Sequence, residues 1–148
     1  MPARLAALLA SVWLGLVFAL GGVAAPAAFS VLERVAAGRV AGACFRVEAQ
    51  ISLGLAMALF LIHRKLAGQR AAAGQGSVIS TDLLLVLGAL FCTVLGYFGL
   101  QPMMEAARSG EGRWSFATLH GASSGFFLLK GLLLAVLAWR GTAPRGQA

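Results

Sequence analysis

Four long apolar runs, separated by short polar or charged stretches, set the pattern of this chain. The first extends from Leu5 to Ala25 and is closed by Pro26. The second, Cys44 to Ile62, is closed by His63, Arg64 and Lys65, and the third, Leu83 to Leu100, by Gln101 and Pro102. The fourth starts behind Trp114 and ends at Trp139. At 1.5 Å of rise per residue, helices of this length match a hydrocarbon layer of roughly 30 Å. The pattern predicts an all-α integral membrane protein: a four-transmembrane-helix bundle made of two helical hairpins, with spans at 5–26, 43–63, 82–102 and 115–139. Residues 1–148 then form a single membrane domain, with a flexible loop at 67–79 and a tail at 141–148.

The first run imitates a secretory signal, because Val23-Ala24-Ala25 precedes Pro26-Ala27. A signal core is typically 7 to 15 residues, and proline directly after a cleavage site is a poor processing context, so a retained span is expected. Pro26 should kink or end that helix, and Phe29 to Ala37 should follow as a short amphipathic piece. Gly38 and Gly42 then mark the turn into the second span. Pro102 should end the third span, whose start is capped by Ser80 or Thr81 with Asp82.

Composition narrows the class. The chain of 148 residues is 59% hydrophobic and only 11% charged, and its mean hydropathy of +0.85 lies outside the range of soluble domains. A net charge of +7 could point to nucleic acid, but the basic residues are scattered at the ends of apolar runs, as topology signals are. Nucleic acid is therefore not an expected partner, whereas the lipid bilayer is. Cys44 and Cys92 form no CxxC motif and no disulfide framework. With an even number of spans, Arg4, Arg64, Lys65, Arg70, Arg140 and Arg145 share one side, against Arg34, Arg39, Arg46, Arg108 and Arg113 on the other. That six-to-five margin places both termini in the cytoplasm, with the chain in a bacterial inner membrane.

Candidate chemistry lies in the polar residues of the spans. In the fourth helix His120, Ser123, Ser124, Phe127 and Gly131 share a face, and Gly121 and Gly125 form a small-xxx-small pair that admits another backbone. In the second, Arg46 and Glu48 point to nearly opposite sides. Arg46 falls with Gln50 and Gly54, and Glu48 with Cys44 and Ser52. Each lies within two turns of the expected boundary and could snorkel to the headgroups. An outer-side polar site of His120, Ser123, Ser124, Glu48, Arg46 and Gln101 is the candidate, with His120 turned into the bundle towards Glu48 or Gln101. Lys130 is too deep to reach the headgroups easily and needs an internal partner, for which Asp82 is the nearest acid on its side. Gly88, Cys92, Gly96, Gly121 and Gly125 are the expected helix-packing residues.

The segment LERVAAGRVAGACF after a proline-terminated first span, and FATLHGASS opening the last, resemble the membrane family of the domain of unknown function 4149, also described as transmembrane protein 205-like. Pro26, Gly38, Phe45, His120, Gly121 and Ser123 carry the resemblance. It implies four spans and no activity.

Function is correspondingly open. A structural or accessory membrane protein of uncharacterised role comes first, as a homo-oligomer or with a membrane-protein partner. The alternative is a transporter or a solute- or ion-binding module using the outer-side polar set. A copper- or haem-binding enzyme component is the weakest reading. His63 and His120 fall at opposite membrane faces, although Cys44, Met103, Met104 and His120 share one and are ligands that suit copper(I). No GxSxG, HExxH or phosphate loop occurs, so no enzyme, catalytic residue, metal site or cofactor is expected.

Overall fold

The structure, a computed structural model, describes residues 1–142. Four helices dominate it: α1 (Pro2–Val31), α2 (Arg34–Ala72), α3 (Thr81–Ser109) and α4 (Phe116–Thr142), each long and apolar enough to cross a membrane. They alternate in direction. Neighbours pack as α1 on α2, α2 on α3, α3 on α4 and α4 on α1. The result is a closed ring of two hairpins, with α2 and α4 facing each other across its middle.

The helices are longer than the expected spans, and in α1 and α3 the treatment of the prolines is the reason. Pro26 does not end α1, and Pro102 does not end α3. Each follows a π-helical turn, Ala19–Ala24 in α1 and Val94–Gly99 in α3. In these turns the N–H of Ala25 reaches the carbonyl of Leu20, and that of Leu100 reaches Leu95. The wider turn re-sets the hydrogen-bond ladder just before the residue that lacks an N–H, which is how membrane helices tolerate proline.

Helix α1 therefore runs on to Val31. Leu32 and Glu33, both with extended ψ values, make the whole connection to α2. The expected separate piece at 29–37 does not exist, and Gly38 and Gly42 lie inside α2 rather than in a turn. Helix α2 also absorbs 67–72, so the expected loop at 67–79 shrinks to the stretch between Ala72 and Thr81. Gly74 and Gly76 supply its positive φ angles. Ser80 caps α3 by accepting the N–H of Leu83 at 3.2 Å, and Gly110, at φ 80°, terminates it in the left-handed region. Of the expected tail, 141 and 142 belong to α4, and the remainder lies outside the described residues.

The core is narrow and built largely from small residues. Ala6, Ala10, Trp13 and Val17 of α1 repeat at helical spacing and meet Ala56 and Leu59, Val86 and Ala89, and Leu134 and Leu137. Large apolar side chains such as Leu8, Val12, Phe91, Leu128 and Leu132 are exposed on the outside. In lipid that surface costs nothing, and association rests on close packing and interhelical hydrogen bonds. Trp114 and Trp139, both exposed, flank α4 at the two depths where membrane tryptophans collect.

Candidate functional site

The middle of the ring is polar. Glu48 of α2 and Lys130 of α4 are each 3% exposed, and the ammonium group donates to both carboxylate oxygens, at 2.8 Å to Oε1 and 2.9 Å to Oε2. Ser52, one turn along α2 from Glu48, donates its hydroxyl to Glu48 Oε1 at 2.6 Å. Trp13 of α1 in turn donates its indole N–H to Ser52 Oγ at 2.8 Å. The order is complete: indole to hydroxyl, hydroxyl to carboxylate, ammonium to carboxylate. Lys130 also lies 4.9 Å from the centre of the Phe127 ring, a cation–π distance. Phe127 packs edge-on against Phe45 at 5.2 Å.

The pair sits at mid-depth. Glu48 is fourteen residues into α2 and Lys130 fourteen into α4, about 21 Å from helix starts on the same side of the membrane. Helix α3 adds Cys92 and Thr93, both buried, with the threonine hydroxyl returned to the Ala89 carbonyl at 3.0 Å. Among the described residues no buried side-chain nitrogen or oxygen lacks a hydrogen-bond partner. Nor do three His, Cys, Asp or Glu side chains gather there as a metal site would require.

A second polar contact lies nearer the short connection. Ser123 donates to the carbonyl of Gly96 at 2.6 Å, within the π turn of α3. Phe126 and Phe127 of α4 press against the glycines of the two π turns. A Cβ on Gly96 would fall 2.6 Å from Phe126 Cβ, and one on Gly21 2.6 Å from the Phe127 ring. Between α1 and α2 an apolar cleft of about 450 Å³ opens sideways, lined by Leu16, Leu20, Val47 and Ile51, and reaches Glu48.

The structure divides the candidate residues. Glu48, Ser123 and Lys130 face inward, but Lys130 does not pair with Asp82. Asp82 bonds instead to Arg140 at 2.6 Å, on the more exposed end of the bundle, too far along α3 to reach mid-depth. His120 does not turn into the bundle or meet Glu48 or Gln101. It is exposed and stacks on Phe116 at 5.6 Å, with Arg108 over the same ring at 4.6 Å. Gln101 bonds to Glu105 at 3.4 Å, and Arg46 and Ser124 are exposed. The six residues therefore form no common site. Of the packing residues, Gly88 meets Leu133, Gly96 meets Phe126 and Cys92 is buried, whereas Gly121 and Gly125 have open space before them. Trp13 was invisible as a polar residue, since a tryptophan in an apolar run reads as core. Ser52 carried one signal, its position four residues after Glu48.

A closed four-span bundle with one ion pair locked across its middle is the class that fold and site define. The chain belongs to the family of the domain of unknown function DUF4149, which matches residues 8–113. That match takes in Trp13, Glu48 and Ser52 and stops short of α4, so Lys130 and the HGASS segment lie beyond it. No curated protein and no solved structure matches the chain.

Proposed function

We propose that this protein is a structural or accessory membrane subunit, without catalytic activity, whose midplane polar groups assemble its own bundle. The observation supporting this is saturation. Lys130 spends its charge on Glu48, Ser52 uses both its donor and an acceptor, and Trp13 its only polar group. A site evolved to hold a solute keeps polar groups free and convergent, and an intramembrane charge pair without them acts as glue. The six-to-five distribution of Lys and Arg supports an inner-membrane placement with cytoplasmic termini. The HGASS segment supports kinship with the transmembrane protein 205-like group.

A second reading, a binding module for a lipophilic molecule, is favoured by the cleft that reaches Glu48 from the lipid side. One experiment separates the two. The wild type and a Glu48→Gln/Lys130→Met variant are purified in native membrane particles, and everything retained is identified by mass spectrometry and metal analysis. Two equally bare, folded bundles are expected. A stoichiometric small molecule or metal held by the wild type and lost from the variant would overturn the structural reading. Labelling of Gln75→Cys from outside intact cells would overturn the orientation.

A further inference from the structure

Helix α2 carries polar side chains on both faces at one depth. Glu48 and Ser52 point inward and are satisfied. Gln50 stands between them in sequence, about 200° from each around the helix, and is exposed with no hydrogen bond among the described residues. It lies two residues from Glu48, about 3 Å in depth, and so at the level of the ion pair. Hydrocarbon offers an amide neither donor nor acceptor. Exposed serines in the spans, such as Ser11 and Ser124, can return their hydroxyl to the carbonyl four residues earlier. The glutamine amide can be satisfied only in part by its own helix, whose carbonyls can accept a second bond but whose interior N–H groups are all used, so its oxygen still needs a donor from elsewhere.

The surroundings of Gln50 suit another helix. Arg46, Gly54, Met57 and Leu61 continue its stripe and are exposed. A Cβ on Gly54 would meet nothing within 4 Å, so a neighbouring backbone can come close one turn from the amide.

We propose that this face of α2 is the interface with a second copy of the chain, packed in parallel about a twofold axis along the membrane normal, with the two Gln50 amides bonded to each other. Copies inserted in the same orientation are related by such an axis, and residues near it meet their own counterparts at the same depth. An amide is its own hydrogen-bond complement, whereas a charged group is not. Gly54 meeting Gly54 brings the backbones close enough for that bond. Arg46 is exposed one turn nearer the surface on the same stripe, and the length of its side chain lets the two guanidinium groups spread away from the axis and up the helix rather than meet beside the amides.

The test is energy transfer between donor- and acceptor-labelled full-length chains in phosphatidylcholine and phosphatidylglycerol vesicles, at decreasing protein-to-lipid ratio. The wild type should show transfer above the random level. Gln50→Leu should weaken association roughly tenfold. Gln50→Asn should keep most of it, and Gly54→Leu should weaken it by blocking close approach. Unfolding midpoints should not fall for Gln50→Leu, since Gln50 has no partner within its own chain. Random-level transfer for the wild type, transfer indifferent to Gln50→Leu, or association appearing only when other membrane proteins are added would overturn the second copy as the occupant.

Discussion

Removing either end of the buried ion pair should damage the fold far more than removing both. Lys130→Met leaves a carboxylate at mid-depth with only the Ser52 hydroxyl as donor. Glu48→Met leaves an ammonium group whose two acceptors were both on that carboxylate. Each single change strands a charge, at an expected cost of about 3–5 kcal/mol. The cleft beside Glu48 is lined by apolar side chains, Leu16, Leu20, Val47 and Ile51, so it offers a stranded charge little relief. In the double variant no charge remains, the methionines fill much of the vacated volume, and Ser52 can return its hydroxyl to the carbonyl at position 48. Its loss should stay within about 2 kcal/mol of the wild type, since apolar replacement of a whole buried pair is often neutral. The assay is reversible unfolding in mixed micelles by denaturing-detergent titration, read as a double-mutant cycle. Single changes that each cost less than about 1 kcal/mol, or a double variant as unstable as the two effects added, would refute the claim that this pair locks the bundle.

Ser52→Ala should cost about 1–3 kcal/mol, because it strands the Trp13 indole N–H and takes a donor from Glu48. Trp13→Phe removes the indole donor and also leaves a cavity where the fully buried ring stood, so it should cost at least about 1 kcal/mol by the same titration; a smaller loss would break the proposed chain of bonds. Gly96→Ala should lose about 1–3 kcal/mol by overpacking, given the 2.6 Å approach of Phe126 Cβ. Gly125→Ala, facing open space, should stay within about 0.5 kcal/mol in a monomeric micelle. His120→Leu and His120→Gln should melt alike, within about 0.5 kcal/mol of the wild type; a loss seen only in the leucine variant would mean that the ring has an internal hydrogen-bond partner.

The four helices were legible because lipid demands long apolar runs, and nothing else in the chain competes with that signal. Their ends were not, because a proline read as a stop can be absorbed by a π turn, and the two glycines in each of Ala19–Ala24 and Val94–Gly99 read equally well as helix-packing residues, as Gly88 in the regular helix does. That error travelled into the site. A second span that begins at 43 puts Glu48 near a membrane surface, within snorkelling reach, and leaves Asp82 as the nearest acid for Lys130. Helix α2 begins at Arg34, so Glu48 lies as deep from its start as Lys130 does from Phe116, on the same side of the membrane.

The orientation of α4 shows what a helical wheel lacks and how physics can supply it. The wheel says which residues share a face; it does not say which face points inward. Ranking by cost decides. A lone ammonium in hydrocarbon costs from about 3 to more than 10 kcal/mol, well above what a glycine pair or a stacked imidazole can offer, so Lys130 must point to the core. Ser123 lies about 20° from Lys130 around the helix and follows it inward to the Gly96 carbonyl. His120 lies about 80° away, and Gly125 and Gly121 about 140° and 180°. The bundle therefore turns the histidine to its edge, where it finds Phe116, and the glycine pair to the outside. The most expensive group on a membrane helix sets its rotation, and the cheaper ones take the faces that remain.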